Sequence, residues 1–88
     1  MHGSIQSRFH RDRLDRLKEW RKRVAMAAAV PAYVVFSDAT LREVAAARPT
    51  SRDALLAING IGPVKLERHG DAVLQIVTAD PVEARAAP

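Results

Sequence analysis

The run Ile58-Asn59-Gly60-Ile61-Gly62-Pro63-Val64-Lys65 limits what this chain can fold into more than any other stretch. Gly60 can take the left-handed conformation that ends one helix, Gly62 leaves room at the start of the next, and Pro63 suits a first helical turn. Apolar residues on both sides recur at helical spacing, so the segment reads as a tight hairpin between two helices. The second helix opens with free backbone N–H groups, an arrangement that attracts anions, and Lys65 one turn inside could add a charged donor to a phosphate. The same residues also make an ordinary helix-loop-helix corner, the commoner use of Gly-x-Gly-Pro.

At 88 residues the chain is one domain. A domain of this size buries roughly 60% of its unfolded surface, enough for a small core without a metal or disulfide staple. There is no cysteine to form such a staple, which fits a reducing compartment. No apolar run approaches the roughly 20 residues that span a bilayer, and the basic start is not followed by a signal-peptide hydrophobic region. The expectation is a soluble, cytoplasmic, monomeric protein. Met1-His2-Gly3-Ser4 reads as a tag remnant, so residues 1–8 are expected to be a flexible start, 9–78 the folded domain and 79–88 a flexible tail.

Net charge is +4, with the excess at one end. Between Met1 and Arg23, eight cations (Arg8, Arg11, Arg13, Arg16, Lys18, Arg21, Lys22, Arg23) face only Asp12, Asp15 and Glu19, while the remainder holds six cations and seven acids. Such asymmetry points to an acidic partner, most commonly nucleic acid. It is equally the pattern of a solvated helix whose Asp12–Arg16 and Glu19–Arg23 pairs add roughly 0.2–0.5 kcal/mol each at i,i+4 spacing.

In chain order, the spacing predicts a first helix over Phe9 to Ala29. Leu14, Leu17, Val24 and Ala28 line its core face with Trp20 beside them, and Arg11, Lys18 and Lys22 lie on the far side. Pro31 stops this helix. Val30 to Phe36 is β-branched and aromatic but has no strand partner elsewhere, so one or two turns of buried helix are expected, with Val34, Val35 and Phe36 in the core. Tyr33 either packs its ring with the hydroxyl in water or faces outward, where it could stack on a base. Ser37-Asp38 caps a third helix to Ala47 with Leu41, Val44 and Ala45 inward, and Pro49 follows. Thr50 and Asp53 have capping-box spacing for a short fourth helix that contributes Leu55, Leu56 and Ile58. The fifth runs from Pro63 to about Thr78 with Leu66, Val73 and Val77 on one stripe, interrupted by Gly70 at a cost of about 1 kcal/mol relative to alanine.

The order of these pieces resembles a known family. Leu17-x-x-Trp20-Arg21, Val30-Pro31-x-Tyr33-x-Val35-Phe36, Asp38-x-Thr40-Leu41, Pro49 and Ile58-x-Gly60-x-Gly62-x-x-Lys65-x-x-x-x-Gly70 are together similar to the HRDC domain, found at the C-terminus of helicases and RNase D. The likeness covers about Phe9 to Val77, and the Tyr33 to Leu41 block is closer to the RecQ-like and UvrD-like helicase branch. It implies an all-α, SAM-like orthogonal bundle of about five short helices, with a helix-hairpin-helix-like corner at Gly60 and Gly62. It also implies a non-enzymatic auxiliary domain of an ATP-dependent DNA helicase, with a role in DNA repair or recombination. Tyr33 matches an aromatic on the DNA-contacting face of some members, Lys65 matches the hairpin lysine, and Lys18, Arg21 and Lys22 are near in type to the family's basic residues. His69 stands where the family usually has an aromatic residue.

The residue chemistry agrees with a non-catalytic role. His2, His10 and His69 lack metal-ligand spacing, no nucleophile–base arrangement is legible, and the hairpin is too short and lacks the ending of a Walker loop. No metal or cofactor is expected. The leading expectation is weak binding of single-stranded or branched DNA, with Lys18, Arg21, Lys22 and Lys65 toward phosphate and Tyr33 on an unpaired base. The competing one is a docking module for the helicase core, a sister domain or another protein, favoured by the balanced charge between Asp38 and Asp71.

Overall fold

The computed structural model describes residues 3–79, with side chains described from residue 11 onward, and in that span every regular element is a helix. They are α1 (Gly3–Ala28), α2 (Ala32–Val35), α3 (Asp38–Ala47), α4 (Arg52–Leu56) and α5 (Pro63–Thr78). α1 packs against α2, α3 and α5, and α4 packs against α5. Met1, His2 and, of the tail expected to be flexible over 79–88, all but residue 79 lie outside the described residues.

α1 begins six residues before the expected Phe9, because nothing between Ser4 and Phe9 breaks a helix. Its end is sharp. Ala29 adopts φ 58°, its N–H donates to Met26 O at 3.2 Å, and Val30 N–H donates to Ala25 O at 3.0 Å. Those two bonds make a Schellman turn built on alanine instead of glycine, closed by Val30 packing on the core and followed by Pro31. Ala25, not Ala28, is the buried alanine of α1, and Ala28 is exposed.

α2 is a single turn. Pro31 supplies the extended residue before it, and Phe36 N–H closes it on Ala32 O at 3.3 Å. Four residues can bury only one side, so Val35 and Phe36 enter the core and Val34, expected inside, is exposed. α4 repeats this lesson: Leu55 is buried and Leu56, about 100° further round the helix, faces water. Its cap is Ser51, whose Oγ accepts from Ala54 N–H at 3.1 Å, one residue later than the Thr50–Asp53 box predicted. Thr50 and Ser51 are both competent caps, and the frame that buries Leu55 decides between them.

α3 is capped as expected, Ser37 Oγ accepting from Thr40 N–H at 3.1 Å, and it ends on Arg48 in the left-handed region with buried Pro49 next. The core closes around Leu17, Phe36, Leu41, Val44, Leu55, Val73 and Val77, with Ile61 from the hairpin sealing one end. Gly70 is buried, and a Cβ there would press on Leu66 Cδ1 of its own helix at 2.9 Å and reach Arg52 Nη1 at 3.6 Å. The space it leaves is thus taken first by the Leu66 side chain and then by that of Arg52, not by a second helix backbone.

Candidate nucleic-acid interface

Phe36 is the point where the candidate residues meet. Its ring lies 6.0 Å from that of Trp20 and 5.7 Å from that of His69, and Trp20 and His69 are edge-on at 5.4 Å. Centroid separations of this size are those of favourable aromatic pairs. His69 therefore packs as an aromatic in the small cluster that fixes α5 against α1 and α2. Burial, reinforced by the Arg68 and Lys65 charges, holds its imidazole below the ordinary value of 6.5, so the ring is neutral at pH 7.

Lys65 leaves the first turn of α5 and sets its Nζ over the Phe36 ring, 5.3 Å from the centroid. That is cation–π distance, and it stations the ammonium at the outer edge of the aromatic cluster. Arg21 reaches the same residue from α1: Nη1 donates to Phe36 O at 2.8 Å, while Nη2 is 2.7 Å from Asp38 Oδ1. The Arg21 hydrogen bond and charge, with help from Lys18 and Arg42, hold the Asp38 carboxyl below its ordinary 3.8. Tyr33, three residues before Phe36, is 70% exposed. Lys22, one turn along α1 from Lys18, is exposed as well. Lys65 and Arg21 thus meet on Phe36, with Tyr33 three residues before it in the chain.

The two hairpin glycines have different jobs. Gly60 sits at φ 96°, and a Cβ on it would run into Thr40 Oγ1. That hydroxyl donates to Asn59 O at 3.2 Å and accepts from Ser37 Oγ at 3.0 Å, so Gly60 lets α3 and the hairpin lock together. Gly62, the N-cap of α5, has ordinary extended backbone, no side-chain cap, and nothing within 4 Å of where a Cβ would stand. The fold does not need a glycine there. Its bare backbone leaves the start of α5 open.

The arginines of α1 read differently once their partners are visible. Arg13, nearly buried, donates from Nε to Ala45 O at 3.0 Å, Arg16 to Ala79 O at 2.6 Å, and Arg21 to Phe36 O. Arg48 donates to Val77 O at 3.2 Å. Each acceptor belongs to the last turn of a helix or to the residue that caps it, where carbonyls lack intrahelical partners and the helix dipole is negative. Arg13, Arg16 and Arg21 of α1 are thus bolts to other parts of the bundle. Arg21, expected to face phosphate, has a side chain only 11% exposed and held by two partners. Arg13 escaped the sequence reading, although it stands four residues before Leu17 on the edge of the core stripe. Lys18 and Lys22, among the described residues, have no such bond.

Comparison with known proteins agrees with this architecture. The HRDC domain model matches residues 10–77. The chain belongs to the HRDC family. It is 42% identical over 71 residues to the ATP-dependent DNA helicase RecQ of Pasteurella multocida, covering 81% of this chain and 11% of that helicase. It is 54% identical over 61 residues to the ATP-dependent DNA helicase UvrD2 of Mycobacterium tuberculosis, covering 69% of this chain and 9% of that one. It therefore spans about a tenth of the length of these curated relatives. Among solved structures, HRDC domain 3 of Deinococcus radiodurans RecQ superposes with a TM-score of 0.75 at 29% identity, over 78% of this chain and 91% of that one. An HRDC domain is an accessory part of such helicases and is itself non-catalytic. Among the described residues no helix is long and apolar enough to cross a membrane.

Proposed function

We propose that this HRDC domain binds single-stranded or branched DNA weakly and thereby tunes the substrate choice of a cytoplasmic ATP-dependent DNA helicase to which it belongs. Tyr33 stacks on an unpaired base, while Lys18, Lys22 and Lys65 meet neighbouring phosphates and Gly62 lets the backbone approach. Arg21, held by Phe36 O and paired with Asp38, enters this reading first as a brace for the wall. The observation that carries it is the exposure of the Tyr33 ring, three residues before the Phe36 on which Lys65 is seated. Exposed aromatic rings combined with cations along a surface are what hold a single strand without reading its sequence. A base stacked on an aromatic side chain contributes roughly 1–3 kcal/mol, so Tyr33→Ala should weaken single-strand binding by roughly 5-fold to 150-fold. The affinity should also fall steeply with salt, since the remaining contacts release counterions. Titration of a labelled single strand and a forked duplex at low salt tests this. Unchanged binding in both Tyr33→Ala and Lys65→Ala would reject the proposed face.

A second reading is a docking module for the helicase core or another protein. It is favoured by the exposure of Met26 on α1 and of Tyr33 and Val34 on α2, apolar side chains that a protein surface would cover. Under that reading the domain is monomeric alone, shows little DNA affinity at any salt concentration, and binds its partner with weak salt dependence.

A further inference from the structure

Asp38 is an anion two residues after Phe36, paired with Arg21 beside the residues assigned to phosphate. Its Oδ1 lies 2.7 Å from Arg21 Nη2, and the carboxylate is 54% exposed while the guanidinium beneath it is almost covered. Arg42 follows it by one turn on α3, and Lys18 precedes Arg21 by one turn on α1, so both flank the same carboxylate from separate helices. We propose that the Asp38 carboxylate occupies the position a nucleic-acid phosphate would take among Arg21, Lys18 and Arg42, and so holds the DNA affinity of the domain down. This rests on the DNA-binding reading above.

The geometry supports competition and not a purely structural pair. A carboxylate and a phosphate offer the same group to a guanidinium, a pair of anionic oxygens accepting charge-assisted hydrogen bonds. Arg21 does not depend on Asp38 alone for its position, because Nη1 stays anchored on Phe36 O at 2.8 Å. Its Nη2 is the edge directed at the exposed carboxylate. The drop in the Asp38 carboxyl below its ordinary value, caused first by Arg21 and then also by Lys18 and Arg42, shows that all three cations act on this one anion. A strand arriving at Lys18 therefore meets a site whose positive charge is already reduced by one from within. Removing that charge while keeping the shape opens it.

The test is an anisotropy titration of a fluorescein-labelled oligothymidylate against the wild-type domain, Asp38→Asn and Asp71→Asn across a range of sodium chloride concentrations. Asp71→Asn makes the same change in net charge far along α5, at a carboxylate paired with Arg52 at 2.7 Å. One extra phosphate contact on a single strand changes the slope of log K against log salt by about 0.7, which is about eightfold in affinity near 0.05 M salt. Asp38→Asn should show that gain and that steeper slope, and Asp71→Asn should show a much smaller gain. Circular dichroism checks folding. Asp38→Ser, which keeps a short polar side chain at the start of α3, is titrated alongside and should show the same gain. Equal or weaker binding by both Asp38 variants, or a gain that Asp71→Asn matches, overturns the proposal. If the wild type binds and loses affinity on Tyr33→Ala while the Asp38 variants gain nothing, only the competition is wrong. If neither the wild type nor the Asp38 variants bind, the DNA reading falls with it.

Discussion

Placing a methyl group on Gly60 should damage this domain far more than placing one on Gly62, two residues away. At Gly60 two costs combine. An L-residue held at φ 96° pays about 1–2 kcal/mol in backbone strain. The new Cβ also overlaps Thr40 Oγ1, driving that hydroxyl off Asn59 O and Ser37 Oγ, each lost bond costing about 0.5–1.5 kcal/mol. Together Gly60→Ala should destabilise by about 2–5 kcal/mol, lowering the melting temperature by about 8–40 °C for a domain of this size. Far-UV circular dichroism during thermal and urea unfolding reads both numbers. The steric part can be isolated, because Thr40→Ala removes the atom in the way. In that background Gly60→Ala should cost only the backbone strain, a coupling of about 1–3 kcal/mol in the double-mutant cycle. At Gly62 the extended backbone and empty surroundings admit a methyl group, and the gain from a stiffer unfolded chain offsets the poorer N-cap, so Gly62→Ala should stay within about 0.5 kcal/mol of wild type. A Gly60→Ala protein as stable as wild type, or a penalty independent of Thr40, would refute the account of the hairpin.

Arg21→Met should cost about 1.5–3 kcal/mol, because it removes charge-assisted bonds at 2.8 and 2.7 Å, whereas Lys22→Met on the exposed side should change the urea midpoint by less than about 0.5 kcal/mol. Similar losses in the two variants would contradict the bracing role. His69 binds its proton less readily folded than unfolded, so the unfolded chain protonates first as pH falls. The stability contributed by its neutral packing is complete above 6.5 and declines below it, toward the lower folded value. His69→Phe should flatten the difference in urea midpoint between about pH 7.5 and pH 5.5, and an unchanged profile would show that His69 does not titrate against the fold.

Much of the architecture was legible because it is local. The Schellman end of α1 needed only Pro31 to be suspected, the Ser37 cap announced α3, and Gly60-x-Gly62-Pro63 dictated the turn into α5. The errors came where elements are too short for periodicity to choose a face. Four residues in α2 and five in α4 leave the neighbours to decide that Val34 and Leu56 stay outside and that Ser51, not Thr50, is the cap. Of the candidate wall, the residue types were readable but their states were not. Tyr33 could have been buried or exposed, and only the family resemblance, which puts an aromatic where His69 stands, hinted at the cluster that His69 completes.

The sequence by itself determined five helices, a left-handed glycine at the hairpin and a basic first helix, since propensity, capping and turn chemistry depend on residues within a turn or two of each other. What that basic charge is for was decided only in three dimensions. The carbonyls that receive Arg21, Arg48, Arg13 and Arg16 stand 15, 29, 32 and 63 residues away in the chain. No local pattern relates a guanidinium to a helix end at such a distance. Packing brings the two together, and in doing so separates arginines that hold the bundle from lysines that face its surroundings.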